Sequence, residues 1–319
     1  MRNLFKIAVN AFRESLREPV YALMLLAALL LIAHYPSMSI FVFSEQLKLV
    51  VDSSMATGLL FGLVIAVLCA SNTVAREMRN GTVLLLLSKP VARWSFVLGK
   101  ILGITAAATL FTLLCNLGCV ISVFVATDQF RFELPLYFGF LGVVAAGAAA
   151  GMFANFWRGS SFPEICSYAL AVLVTIFAVV LLFVRPAPSI VIADLLKALL
   201  LVNFAVAAMA TIAVVAATKL DVVPNLCVCT AVFFLGMLSN YLFQRQTGIK
   251  ALDWVLGLFY SICPNWQFFW LVDAVAVNKP IPMSYIRMSA LYTALYIVLA
   301  SMWAVAIFNS KEAAGDSRN

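Results

Sequence analysis

The residues that could do chemistry in this 319-residue chain are few, and none falls into a catalytic pattern. His34 is the only histidine, and it sits within an apolar stretch. No His-Glu-x-x-His occurs, and no serine has a lysine or histidine partner at a useful spacing. Gly99-Lys100 is followed by Ile101 and lacks the upstream glycine of a nucleotide-binding loop. Asp194 and Lys197 have the i, i+3 spacing of a helix ion pair at an interface. Arg287 lies just inside the last apolar stretch, from which its side chain can snorkel to water. Cys69, Cys115, Cys119, Cys166, Cys227, Cys229 and Cys263 are odd in number and spread through apolar segments, which suits small packing residues rather than a disulfide framework. Cys227-Val228-Cys229 has no nearby histidine or carboxylate to complete a metal set. The expectation is a chain without catalytic, metal or cofactor sites of its own.

The elements that carry these residues are membrane spans. The composition is 64% hydrophobic and 11% charged, with a mean hydropathy of +1.04, far from that of a soluble domain. Charges gather in clusters between uncharged stretches long enough to cross a hydrocarbon core as helices. A transmembrane barrel, built from alternating strands of about ten residues, is excluded. The chain reads as an all-α polytopic membrane protein, a single domain over 1–319. About eight spans are expected, with six to nine open: 20–43, 55–75, 101–125, 135–157, 166–184, 197–218, 223–243 and 285–308. With the N-terminus inside, 13 basic residues fall on cytoplasmic segments and 8 outside. That orientation puts both termini on the cytoplasmic side, and the expected location is the cell (inner) membrane. The formal charge of +7 follows from this topology and does not call for a nucleic-acid partner.

Residues 1–18 have Arg2, Lys6, Arg13, Arg17 and Glu14 on one arc and Leu4, Ile7, Ala8, Ala11, Phe12 and Leu16 on the other. This is the pattern of an interfacial helix suited to anionic membrane lipids, with Pro19 at the turn into the first span. No small-residue cleavage site follows it, so it does not read as a cleavable signal. Small residues recur four apart at Gly58 and Gly62, Gly99 and Gly103, and Gly147 and Gly151, where helix backbones can approach closely, within the chain or between subunits. Residues 244–284 read as an extracytoplasmic aromatic-rich segment, interfacial, re-entrant or spanning, because Trp254, Tyr260, Trp266 and Trp270 surround Pro264-Asn265.

The loop between the second and third spans is the most distinctive feature. Arg76-Glu77-Met78-Arg79-Asn80-Gly81-Thr82 forms a charged glycine turn, a run of leucines too short to span follows, and Ser88-Lys89-Pro90 ends it. Residues 76–100 therefore read as a cytoplasmic helical hairpin, or as a plain amphipathic loop. The order Glu, Gly-Thr, leucines, Ser-Lys-Pro-Val, arginine, Phe and Leu-Gly-Lys resembles the first cytoplasmic loop of ABC transporter permeases of the type-two exporter class. It resembles particularly those permeases annotated with multi-copper enzyme maturation. Arg17-Glu18-Pro19 is similar to the end of that class's elbow helix, and Pro264-Asn265-Trp266-Gln267-Phe268-Phe269 to its tail.

The resemblance implies a permease that works with two copies of an ABC-type ATPase subunit, binding ATP and Mg on those chains, and with a second permease, a copy or a paralogue. It assigns Arg76, Glu77, Met78, Arg79, Asn80, Gly81 and Thr82 to ATPase coupling. Arg158, Ser160, Phe162 and Glu164 would form a second cytoplasmic contact. No Met, His and Cys cluster supports a copper role. A secondary carrier, expected to show internal repeats and broken midplane helices, and a non-transport membrane scaffold are the alternatives.

Overall fold

The computed structural model describes residues 2–39, 45–79, 93–127, 131–186, 190–243 and 250–316. Those residues are helical apart from short connections and one two-residue ladder, in which Ala126 pairs with Phe132 and Thr127 with Arg131. The expected all-α polytopic architecture is what is found. Helix α1 (Arg2–Arg17) is the amphipathic N-terminal element, and α2 (Pro19–Met38) starts with proline at its first turn, where no N–H is needed. Helix α3 (Gln46–Ala70) runs through a π-helical turn at Ser71–Ala75 into α4 (Arg76–Arg79). Next come α5 (Arg93–Val125), α6 (Leu134–Arg158), α7 (Phe162–Val184) and α8 (Ile192–Ala217). After α9 (Val222–Met237) and α10 (Ser239–Phe243) lie α11 (Lys250–Ile262), a 3-10 turn at Trp266–Phe269, α12 (Val272–Ala276) and the long α13 (Met283–Asp316).

Among the described residues seven helices are long and apolar enough to cross a membrane: Pro19–Met38, Gln46–Ala75, Trp94–Val125, Leu134–Arg158, Phe162–Val184, Ile192–Ala217 and Met283–Ile307. The expected span at 223–243 differs, because the helix over 222–237 is shorter and breaks at Leu238. Just before the break Gly236 lies against the Pro264 carbonyl and the Trp266 ring, a contact that leaves no room for a side chain there. The second span also starts earlier than expected, at Gln46. Its polar first turns are held by Lys48, which pairs with Glu45 at 3.5 Å and with Asp273 of α12 at 3.2 Å.

The side of each helix end follows from its contacts. Arg17 meets Glu164, and Arg76 and Lys100 meet Glu14, so the ends of α1, α4, α5 and α7 share one side. Arg185 pairs with Glu133 at 3.2 Å on the other side. Asp194, at the start of α8, accepts from the backbone N–H of Ile281, and Asn225 near the start of α9 reaches Ser71. Helix α8 therefore runs back to the first side, while α13 begins beside the start of α8. The segment between α8 and α13 must make one net crossing, which puts the far end of α13 on the side of α1.

At the centre stands α5, which touches α1, α2, α3, α6, α7, α8 and α13. Together α3, α5 and α8 are mostly enclosed, whereas α6, α7 and α13 present Phe153, Phe183, Leu295 and Leu299 outward, as helices facing lipid do. Buried polar side chains tie the centre together: Tyr21 donates to the Ala107 carbonyl at 2.9 Å, Asn116 to that of Leu199 at 2.9 Å, and Ser122 to that of Ile32 at 2.8 Å. Such bonds and close backbone approach drive helix association where lipid removes the hydrophobic difference.

Single cysteines at Gly159 and Lys279 should react with a membrane-impermeant thiol reagent from opposite sides, and a tag after Asn319 should share the side of Gly159. Labelling of positions 159 and 279 from the same side would contradict this arrangement.

Candidate functional site

The first-side end of the bundle carries most of the charged chemistry. Lys100 lies two turns into α5, with its side chain 4% exposed. Its ammonium donates to Glu77 Oε1 at 2.8 Å and to Glu14 Oε2 at 3.2 Å, and lies 5.9 Å from the Phe96 ring centroid. Arg76 reaches Glu14 at 3.3 Å and Glu18 at 3.6 Å. One network thus joins α1, the end of α3–α4 and the foot of α5. Enclosure of the ammonium is tolerable because two carboxylates face it, and removing one member would leave a charge in a poorly solvated place.

This network needs α1 to lie directly on α5. Gly103 makes that possible: a Cβ there would meet the Ala8 carbonyl, with Ala11 Cβ at 2.7 Å and Phe12 N at 2.9 Å. Gly99 faces Ile7 in the same way. The other two small-residue pairs also pack within the chain. Gly58 and Gly62 lie against Cys115, Thr112 and Val206 of α5 and α8, and Gly147 and Gly151 against Leu170, Cys166 and Phe162 of α7. The apolar arc of α1 is therefore only partly given to lipid: Ala11 and Leu16 are fully buried, while Phe5 stays exposed.

From α1 the chain also reaches the next loop on this side. Arg17 Nε donates to Glu164 Oε2 at 2.7 Å, and that hydrogen bond together with the carboxylate's charge raises the arginine above its ordinary value. The loop at 159–161 is shaped by Gly159, whose φ of 63° closes α6 in the left-handed region that favours glycine. Its N–H bonds to the Asn155 carbonyl, and Asn155 Nδ2 donates to the Ser160 carbonyl at 2.8 Å. Arg158 is exposed, Ser160 half-buried, and Phe162 turned inward onto Gly151.

Of the residues expected to form a coupling surface, Arg76 and Glu77 are thus engaged within the chain. Met78 and Arg79 continue the helix as α4. Asn80, Gly81 and Thr82, with the rest of the expected hairpin up to residue 92, lie outside the described residues. The structure brings the 76–79 end, Lys100, Glu14, Glu18, Arg17 and Glu164 together at one end of the bundle.

Above this network lies a feature that the spacing of charges could not disclose. In the turn at Ser71–Ala75 the Arg76 N–H bonds to the Ser71 carbonyl, five residues back. Asn225, fully buried on α9, donates to Ser71 Oγ at 2.9 Å and to the Ala213 carbonyl at 3.2 Å, and accepts from Cys229 Sγ at 3.4 Å. Thr73 is fully buried, and among the described residues its hydroxyl has no hydrogen-bond partner. A hydroxyl so placed costs about 1–3 kcal/mol. A lone amide in the apolar stretch 222–237 was the only sequence signal for this site.

At the opposite end Asp194 and Lys197 pair at 2.7 Å, as their spacing suggested, and they do more. Lys197 donates to the Ile281 carbonyl at 2.8 Å, and Asp194 accepts from the Ile281 N–H at 3.1 Å, which fixes the chain entering α13. His34 Nδ1 lies 3.1 Å from the Tyr137 hydroxyl. In the aromatic segment, Trp266 and Phe269 are buried against α8 and α9, while Trp254 is exposed. Among the described residues no group of three His, Cys, Asp or Glu side chains is placed to hold a metal.

Residues 5–247 match the model of the ABC-2 family transporter protein. The matched region holds α1 to α10, and with them the charge network and the π-turn. The chain belongs to the ABC-2 transporter family, and it is an ABC transporter permease component, a multi-pass membrane protein. Curated proteins give no match to it. The family match is broader than the resemblance to copper-maturation permeases and does not bear on it.

Lys100→Met should destabilise the chain by about 3 kcal/mol, because Glu14 and Glu77 would face each other without their shared cation. Thermal unfolding in detergent reads this. In the Lys100→Met/Glu77→Gln double variant part of the loss should return, whereas additive losses would mean that the two side chains do not interact.

Proposed function

We propose that this chain is the permease subunit of an ABC exporter in the inner membrane. It works with a separate ABC-type ATPase, two copies per assembly, that binds ATP and Mg, and with a second permease, a copy or a paralogue. The observation that supports this reading most is the charge network at one end of the bundle. It fastens the root of the 76–82 segment, through Arg76 and Glu77, to α1 and to the central helix α5. A docked ATPase pushing on residues 78–82 would move those helices rather than bend a loose loop.

In this reading the first side is cytoplasmic, which agrees with the basic residues clustered at 76–100. Met78, Arg79, Asn80, Gly81 and Thr82 provide the docking surface, and Arg158 with the exposed rim of 158–164 the second contact. Arg76 and Glu77 act from behind that surface as its anchor. Phe162 and Glu164 hold the second loop in place, against Gly151 and Arg17. The aromatic segment at 244–284 closes the extracytoplasmic half. The charge-poor span interior suits an amphipathic substrate better than a small ion, because an ion path calls for ionisable residues at mid-span.

Arg79→Glu and Gly81→Val should lower capture of the ATPase by the tagged chain about thirtyfold, a loss of about 2 kcal/mol at an interface, while the chain still inserts. Glu133→Ala, which removes the ion pair on the opposite side, should leave capture unchanged. ATP hydrolysis that depends on the permease should follow the same order. Wild-type capture by both loop variants would overturn the docking assignment.

A further inference from the structure

We infer that the π-turn at Ser71–Ala75 is a two-position hinge between the span and the coupling end, and that Asn225 is the positioning residue that holds it in its present state. The inference rests on the docking role proposed for 78–82, and it adds a device by which movement there reaches the core of the bundle.

A π-turn is an α-helix carrying one extra residue, taken up as a local widening, so the helix beyond it keeps the facing it would have without that residue. Here α4 points Glu77 at Lys100 because the turn absorbs the extra residue. Were the same residues to close into a regular helix, α4 would turn by about 100° and advance by about 1.5 Å. Glu77 would then leave Lys100.

Three observations make both positions accessible. First, Lys100 has two carboxylates, and Glu14 at 3.2 Å still neutralises it when Glu77 departs. Second, the present state carries a defect, since Thr73 is fully enclosed with an unsatisfied hydroxyl. Elsewhere Thr57, Thr112, Thr175 and Thr211 each donate to the carbonyl four residues back, although the enclosed hydroxyls of Thr105 and Thr293 in regular helix make no such bond. A regular helix would offer Thr73 the same bond to Cys69. Third, the defect is offset from outside the helix, by the bond from Asn225 to Ser71 Oγ. Asn225 is itself anchored to the Ala213 carbonyl of α8, so the pin joins α3, α8 and α9. Closing the turn would gain the Thr73 bond and give up both the Asn225–Ser71 bond and the Glu77–Lys100 pair, so the present state is the resting one and a push at the coupling end is what would bring about the other.

The decisive variant is deletion of Thr73. Anywhere else in a span, deleting one residue turns all that follows by about 100°; in the π-turn it removes the extra residue and leaves α4 facing as it does now. The ΔThr73 chain should therefore insert and capture the ATPase as wild type does, while permease-dependent ATP hydrolysis falls about tenfold, because the hinge has only one position. Deletion of Ala66, in the regular part of α3, should abolish both. Asn225→Leu supplies a second reading on the intact chain: amide exchange at 71–76 should quicken when the pin is lost. Full coupling in ΔThr73, failure of ΔThr73 to insert, or unchanged exchange in Asn225→Leu would each overturn the hinge. If wild-type chain captures no ATPase, the docking assignment falls instead, and the exchange measurement still decides the hinge.

Discussion

An ammonium group whose side chain is almost wholly enclosed is stable only while carboxylates face it, and Lys100 obtains them from two different elements. Glu14 can reach it only if α1 lies on α5, and α1 can lie there only because Gly99 and Gly103 offer no side chain at the contact. Glu77 can reach it only if the end of α3–α4 faces inward, which the π-turn arranges. The same docking of α1 places Arg17 beside Glu164 and so positions the start of α7. The geometry of the whole charged end therefore follows from the pairing of one lysine.

The other end is fastened differently. Asp194 and Lys197 hold the backbone of Ile281 from both its N–H and its carbonyl, and Tyr285 donates to the Phe268 carbonyl at 2.6 Å. Asn265 accepts from the Gln267 N–H and donates to Asn240 at 2.7 Å, so the 3-10 turn is closed by its own side chains. Most of these bonds point at backbone groups, as irregular chain at membrane depth requires. The charged end is held by side-chain ion pairs around Lys100, while the other end is held largely through the main chain of Ile281 and Phe268.

Much of this was legible in the sequence because a bilayer imposes simple rules. The spans, the amphipathic α1, the turn at Pro19 and the pair Asp194–Lys197 all follow from apolar length, helical spacing and charge. What stayed hidden depends on which helices meet. The break at Leu238 falls where Pro264 and Trp266 press on Gly236, and a hydropathy window does not register a neighbour. Glu14 sits on the polar arc of α1 as expected, but nothing in its spacing said that Lys100 would share it. The type of Trp266 and Phe269 did not say which face they would take, and a turn stapled by Asn265 packs them against the bundle. The small-residue pairs left open a contact within the chain or between chains, and the helices opposite them belong to this chain.

The engagement of Arg76 and Glu77 within the chain divides the charged turn into two parts with different work. A residue held on both sides, as Glu77 is between Lys100 and its own helix, cannot also be the first contact of a docking partner without giving up that bond. Under the proposed docking role, a push at the tip would be borne by α4 with the widened turn behind it as fulcrum. Such a load would pass to α5 through Lys100, to α1 through Glu14, and to α8 and α9 through Asn225. Because α5 touches most of the other spans, displacement of its foot must be answered across the bundle, whereas a flexible linker at the same place would dissipate it.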